Sequence, residues 1–257
     1  MIDESIYTPE EEMEHIWDIE DIKTLMHKRV YMQSWDKRAE EIENLWVSEP
    51  EHQKTASYGS NWGYYTGMDS IRSYYVDAHQ KWLEKQKEEN GAAELNQGNL
   101  YAHPISTGLV EVAIDGKTAK GLWYSIGQET TAQADGSGKA WWMLGKVAVD
   151  FVKEGDEWKI WHIVISTDVD AEAGHDYGEY PVYVNWGNDS DNPVRKEFGK
   201  PDIEVLTHDV TFNWWDNYPA MPPKDYQTWS DDISYGPEGY KPPKVQGFHA
   251  GEGRNFK

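Results

Sequence analysis

Apolar residues near the start of the chain recur every three or four positions, which is the spacing of an amphipathic helix. This repeat covers residues 16–35, and a shorter one covers residues 37–46. Gly63 and Gly67 interrupt the pattern, which then resumes over residues 69–89. The first part of the chain therefore predicts two helices, a break and a third helix.

After Gly98 the pattern changes to strands. The predicted strands cover residues 109–114, 118–126, 141–152 and 158–165. Asp115-Gly116 is a strong hairpin signal between the first two, and 154–156 is a turn between the last two. Helices followed by an antiparallel meander predict an α+β fold in which a curved antiparallel sheet wraps around the N-terminal helices.

The last part of the chain has a different character. Prolines interrupt every candidate element there, and aromatic residues lie between them, so that only 182–184 and 203–206 are predicted as short strands. Disordered tails are usually poor in aromatic residues. We therefore predict an irregular extension over 169–257, which packs on the domain that precedes it or on a neighbouring subunit.

Composition narrows the range of partners and compartments. The 257 residues include 46 acidic and 24 basic side chains, a formal net charge of −22, which disfavours nucleic acid and anionic membranes. The chain has no cysteine, which excludes disulfides and thiolate ligands. It also has no long apolar stretch and no N-terminal signal pattern, so we expect a cytoplasmic protein that does not enter a membrane.

Several segments resemble one known superfamily. They are residues 22–36, which end in Trp35-Asp36-Lys37-Arg38, residues 59–75, and His103-Pro104-Ile105-Ser106-Thr107 followed by the hairpin at 110–119. Together they resemble the SnoaL-like (nuclear transport factor 2-like) superfamily over residues 14–168, and the resemblance implies one cone-fold domain there, a cone-shaped α+β barrel. Within it they are most similar to the branch of bile acid 7-alpha-dehydratase and hexachlorocyclohexane dehydrochlorinase.

The resemblance implies a catalytic constellation. In that branch an Asp at the helix junction pairs with a His on the first long strand, which corresponds to Asp36 and His103. The dehydratase also carries a Tyr five residues before its Asp, and Tyr31 stands at that place. The resemblance thus implies a His–Asp pair assisted by Tyr31. No residue of this chain clearly matches the late-strand Arg of those enzymes, so the substrate is not implied.

The chemistry of these side chains agrees with such a role. A His can take a proton from carbon or give one to a leaving hydroxyl, a carboxylate can fix its tautomer, and a Tyr hydroxyl can polarise a carbonyl. We predict a cofactor-independent lyase (dehydratase) or isomerase without a metal site, acting on a ring-shaped apolar, phenolic or steroid-like molecule. The predicted substrate-binding residues are Tyr58, Trp62, Tyr65, Trp123, Trp142 and His162.

Other interpretations of the same residues stay open. Asp36 can cap the following helix, His103 can be a structural residue at a strand entrance, and Tyr31 can be a core aromatic. The aromatic residues predicted to bind substrate can equally fill the core. At the level of function, the alternatives are a cone that binds a small molecule without converting it, and an oligomerisation module. We expect a homo-oligomer, with a dimer as its simplest form.

Overall fold

Most of the helical structure precedes the long strands. The computed structural model describes residues 7–174, 198–205 and 221–240. Its helices are α1 Pro9–Ser34, α2 Arg38–Leu45, α3 Pro50–Thr55, α4 Met68–Arg72 and α5 His79–Asn90, with a π-helical turn at Ser73–Ala78 and a 3₁₀ turn at Asp231–Ile233. Helix α1 begins earlier than its apolar repeat because Thr8 and Glu11 form a reciprocal capping box before it.

Eight strands form one sheet. They are β1 Ser57–Ser60, β2 Gly63–Thr66, β3 Leu100–Ala102, β4 Ile105–Val112, β5 Thr118–Ala132, β6 Gly138–Glu154, β7 Glu157–Glu172 and β8 Ile203–Glu204. Their order is β3-β5-β6-β7-β1-β2-β8, and β4 also pairs with β5. The pairs are antiparallel except for β1 with β7. The sheet curves without closing, and helix α1 packs against it.

The predicted α+β architecture is confirmed, with corrections to several boundaries. Gly116 and Gly155 occupy left-handed turns at the two predicted hairpins, with φ of 68° and 61°. The three hairpin strands β5 to β7 are longer than predicted, and α3, β1, β2 and β3 were not predicted. Of the two strands predicted in the extension, 182–184 lies outside the described residues, and the structure has β8 within 203–206. Among the described helices, none has the length and apolarity to cross a membrane.

Side chains on the inner face of the sheet form the main core together with the helices. Ile22 and Met26 of α1 are fully buried there against the inner-face residues Phe151 and Ile163. A buried ion pair lies beside them: Arg29 Nε is 3.2 Å from Glu41 Oε1, and the hydroxyl of Tyr75 donates to Glu41 Oε2 over 2.7 Å. The carboxylate therefore joins two helices and the π-helical turn.

The outer face of the sheet carries a second core, which the C-terminal extension covers. Tyr235 is buried there against Leu122, Ala148 and Val164. A buried ion pair between Lys120 and Asp150 anchors this segment: Asp150 Oδ2 accepts hydrogen bonds from Ser234 Oγ at 3.1 Å and from the backbone N–H of Tyr235 at 2.7 Å. This part of the extension is thus tied to the sheet by charge as well as by apolar contact.

We predict that Asp150→Ala destabilises the fold strongly. Removing one partner leaves the Lys120 ammonium buried without its counter-charge, which costs about 3 to 5 kcal/mol in comparable pairs. The free energy of unfolding from urea denaturation measures this loss. Glu40→Ala, which removes an exposed carboxylate paired with Lys37, is the control and should cost less than about 1 kcal/mol. Equal effects of the two substitutions would contradict the assignment of a buried anchor.

Candidate functional site

A cavity of about 440 Å³ lies between the helices and the inner face of the sheet. Its volume is within the range of small-molecule sites. Polar and aromatic side chains share its walls, and the aromatic residues that line it are Tyr58, Trp62, Tyr74, Trp82, Tyr101, Trp141 and Phe198. Flat rings packed side by side present large apolar surfaces. Such walls suit a flat, ring-shaped ligand.

One imidazole on the cavity wall is held by a carboxylate. Nε2 of His79 lies 2.8 Å from Oδ1 of Asp36, and the Arg38 guanidinium lies 3.8 Å from the same oxygen. Asp36 sits at the α1–α2 junction with a left-handed φ of 57°, a conformation that Asp tolerates better than most residues. His79 follows the π-helical turn, a feature that recurs at functional sites.

The electrostatic surroundings keep His79 neutral. Burial lowers the pKa of its imidazole below the ordinary 6.5, and the hydrogen bond to Asp36 opposes this shift without cancelling it. With Nε2–H donating to Asp36, the lone pair of Nδ1 is left free. His79 therefore has the protonation state of a general base at neutral pH.

A second imidazole on the cavity wall also pairs with a carboxylate. Nε2 of His103, just after β3, lies 2.8 Å from Oε1 of Glu129 on β5. The ring lies over Gly127, where an added Cβ would overlap Nδ1 of the imidazole. Glycine at this position therefore makes room for the imidazole. The cavity thus contains two separate His–carboxylate pairs.

Tyr101 of β3 contributes a hydroxyl group to the same wall. Its ring packs against the rings of His79 and Trp82, with centroids 5.9 and 6.2 Å away. Its buried hydroxyl has no hydrogen-bond partner among the described residues. Burial raises the pKa of this phenol, and the nearby charge of Glu129 raises it further. The hydroxyl is therefore a neutral hydrogen-bond donor.

The predicted catalytic residues are distributed differently from the prediction. Asp36 and His103 do not pair with each other, because Asp36 bonds to His79 and His103 bonds to Glu129. Asp36 is also not the side-chain cap of α2, whose N-cap position is Lys37. Tyr31 is 59% exposed, and its ring contacts Trp35 on the outside of α1. Tyr31 is not among the described residues that line the cavity.

The predicted substrate-binding residues divide between the two faces of the sheet. Tyr58 and Trp62 line the cavity, whereas Tyr65 is buried behind it with its ring stacked on Tyr74. Trp123 belongs to the core beneath, packed edge-on against Phe151. Tyr65 and Trp123 are therefore core residues and do not line the cavity.

Trp142 and His162 lie on the outer face of the sheet. Trp142 is 39% exposed there, and its neighbour Trp141 lines the cavity instead. His162 is buried under the extension, with Nδ1 3.0 Å from Ser57 Oγ, and burial together with the Lys120 charge lowers its pKa to about 3. These two side chains are therefore on the wrong face to meet a ligand in this cavity.

Several site residues were missed by the sequence analysis. His79 lies four and eight positions after the buried Tyr75 and Ile71, so its place on the apolar stripe was visible in the helical spacing. Glu129 was missed because the predicted strand stopped at residue 126, whereas β5 continues to Ala132. Extending the alternation would have put Glu129 on the inner face.

Glu49, His52 and Glu154 form the one group among the described residues whose His and carboxylate atoms lie close enough to share a cation. The Glu154 carboxylate already accepts hydrogen bonds from Ser48 N at 2.8 Å, Ser48 Oγ at 2.7 Å and Glu49 N at 3.0 Å. These contacts cap the start of α3 from a distant strand. The group has a structural explanation, and we assign no metal to it.

Comparison with known proteins agrees with this architecture. A family model described as a SnoaL-like domain matches residues 14–164. Similar structures include an NTF2-like protein with a cystatin-like fold from Novosphingobium aromaticivorans (15% identity, TM-score 0.42, 61% of this chain and 85% of that chain). They also include LinA (10%, 0.47, 64% and 96%) and Aln2 from a Streptomyces species (15%, 0.41, 63% and 94%). No curated protein matches the sequence significantly.

We predict that Gly127→Ala displaces the His103 ring while leaving the fold intact. The new methyl group needs the space of Nδ1, and the strand backbone at this position suits alanine. A crystal structure of the variant should show the 2.8 Å contact between His103 and Glu129 broken. Gly138→Ala, where the nearest atom is a Thr130 methyl group at 3.2 Å, is the matched control. An unmoved imidazole would contradict the close packing described above.

Proposed function

The chain belongs to the SnoaL-like family, and we propose that its cavity catalyses the elimination of water from a ring-shaped, hydroxylated small molecule. The superfamily includes dehydratases and isomerases. The observation that carries the proposal is the presence of two imidazoles, each bonded to its own carboxylate, on the wall of one aromatic cavity. Elimination needs a base for the carbon-bound proton and an acid for the leaving oxygen, and the two pairs supply both.

In the proposed step, Nδ1 of His79 takes a proton from the carbon next to a carbonyl group. The electron pair of the broken C–H bond forms the new C=C bond, and the C–O bond to the hydroxyl breaks. The leaving oxygen takes a proton from the His103 imidazolium and departs as water. Glu129 stabilises that imidazolium before the transfer, and Asp36 stabilises the one formed on His79. Tyr101 donates a hydrogen bond to the carbonyl oxygen, the role first predicted for Tyr31.

The walls indicate the substrate class. Two or more fused rings have flat faces that match the rings of Trp62, Tyr74 and Trp141. A cyclic β-hydroxy ketone on such a skeleton carries both an acidic C–H bond and a leaving hydroxyl. We therefore propose phenolic or steroid-like β-hydroxy ketones as substrates. Their dehydration requires only a general base and a general acid.

We predict that His79→Gln abolishes turnover and keeps ligand binding. Loss of a positioned general base lowers the rate by about 10²- to 10⁴-fold. Turnover is measured across a panel of fused-ring β-hydroxy ketones as the rise in ultraviolet absorbance when a conjugated enone forms. Binding is measured by the fluorescence of 2-naphthol.

The matched control is His27→Gln, which changes an exposed histidine on α1. It should leave both turnover and binding unchanged. Full activity of the His79 variant on any converted substrate would refute the proposed base. Binding of the panel without conversion by the wild-type protein would favour the alternative of a non-catalytic binding protein, and double-bond migration without water loss would favour an isomerase.

The pH dependence of turnover should report His79. Because burial holds its pKa below 6.5, the acidic limb of the kcat/KM profile should have its midpoint below pH 6.5, where His79 becomes protonated and can no longer act as a base. Asp36→Asn removes the charge that raises this pKa, so we predict a lower plateau and a midpoint at still lower pH. Asp69→Asn, at an exposed position on α4, controls for the change in net charge. A midpoint that moves to higher pH in the Asp36 variant would contradict the assignment.

The homo-oligomeric state and the cytoplasmic location stay predictions. Exposed apolar side chains on the outer face of β5 and β6 are consistent with the former. They are Tyr124, Ile126, Trp142 and Leu144. One of the two alternatives to an enzyme, an oligomerisation module, would use this outer face. That role is compatible with chemistry in the cavity, which lies on the inner side of the sheet.

A further inference from the structure

We infer that the C-terminal extension determines the length of ligand that the cavity accepts, with Phe198 as the specificity-determining residue. Phe198 lines the cavity, although it lies well beyond residues 14–164, which match the family. The rest of the described wall comes from within that matched region or from Ile165 and Thr167 of β7, which closely follow it. The inference rests on the proposed function only in requiring that the cavity holds a ring-shaped ligand.

Phe198 ends a layer of three aromatic rings. The rings of Tyr65 and Tyr74 stack in parallel, with centroids 3.8 Å apart and an interplanar angle of 10°. The ring of Phe198 packs edge-on against Tyr74, with centroids 6.1 Å apart and an angle of 66°. The position of Phe198 is therefore fixed by a partly buried ring that lies within the matched residues 14–164. It closes the cavity at this end by filling space that a ligand would otherwise reach.

Hydrogen bonds hold the segment that carries Phe198 against β2 and the start of α4. The carboxylate of Asp202 accepts hydrogen bonds from Thr66 N at 2.7 Å and from Ser70 Oγ at 2.6 Å. The hydroxyl of Tyr65 donates to the carbonyl oxygen of Gly199 over 3.0 Å. Residues 198–205, which we call the clamp, are thus bonded to β2, to the start of α4 and to the ring layer.

Close backbone packing adds to these bonds. Strand β8 of the clamp pairs with β2, with Ile203 opposite Tyr64 and Glu204 opposite Gly63. A Cβ at Gly63 would lie only 2.6 Å from a ring carbon of Pro201, and closer still to the carbonyl oxygen of Ile203. Only glycine permits this approach. The clamp is therefore a built part of the cavity wall, and Phe198 acts as a fixed stop.

A fixed stop predicts a definite change in ligand preference. Phe198→Ala opens the end of the cavity, so that a longer ligand gains apolar contact there, whereas a short ligand gains nothing. Phe198→Trp extends the stop and shortens the cavity. Both variants keep the apolar character of the wall and leave the His79 and His103 pairs untouched.

The test compares two probes that share one chromophore. 2-Naphthol has two fused rings, and equilenin is a four-ring steroid that carries the same naphthol group. Dissociation constants come from the naphthol fluorescence of each probe with the full chain. In Phe198→Ala we expect the affinity ratio of equilenin to 2-naphthol to rise about tenfold or more, because additional apolar area becomes buried. In Phe198→Trp the ratio should fall by a similar factor.

The matched control is Ile203→Ala, which alters an exposed side chain of the same clamp outside the cavity wall. Its ratio should equal that of the wild-type protein. Thermal melting of each variant checks folding, and Phe198→Leu replaces any variant that does not fold, with a smaller rise expected. An unchanged ratio in the folded Phe198 variants overturns the inference, as does failure of the wild-type protein and the variants to bind either probe.

The test of Phe198 and the test of the proposed function can fail independently of each other. The probe ratio is measured without turnover, so it can respond to Phe198 even if His79→Gln has no effect on any reaction. Conversely, loss of turnover in the His79 variant with an unchanged ratio in the Phe198 variants would support the chemistry and refute the stop. Asp202→Ala gives a further check, because release of the clamp should move the ratio in the same direction as Phe198→Ala.

Discussion

The two-residue period of the long strands β5, β6 and β7 controls almost everything else in this structure. Side chains at successive positions point to opposite faces of a strand, so each strand contributes alternately to an inner and an outer surface. The inner surface meets helix α1 and leaves the aromatic cavity, whereas the outer surface binds the extension. Trp141 and Trp142 show the consequence, because one lines the cavity and the other is exposed on the opposite side.

The same division separates the charged groups by task. On the outer face, Lys120 and Asp150 are buried together and their pairing holds the extension in place. On the inner face, Glu129 is partly accessible and its partner His103 lines the cavity. A buried pair whose carboxylate oxygens are both bonded is suited to anchoring. A pair that faces a cavity, and whose second ring nitrogen is bonded by none of the described residues, is suited to proton transfer.

The sequence predicts the architecture well because the order of helices and strands follows from the spacing of apolar residues and from the turn residues. Apolar spacing located α1, α2 and the third helical region, and turn glycines located both hairpins. The site was harder, because pairing between side chains depends on long-range geometry. Asp36 was predicted to pair with His103 near the first long strand, yet the structure pairs it with His79 of α5. The position of His79 opposite Asp36 depends on helix length, the π-helical turn and the packing of α1 together. No local sequence pattern encodes this combination.

The extension shows a further limit of local patterns and a reason why the family fold alone does not define the ligand. Its prolines and aromatic residues predict little regular structure, yet 198–205 and 221–240 are both bonded to the same sheet, one at its edge and the other across its outer face. Both His–carboxylate pairs lie within residues 14–164, which match the family. The stop at Phe198 is added from outside those residues, where substitution costs the core little. If both proposals hold, chemistry and ligand length are carried by different parts of the chain, and either can change while the other is kept.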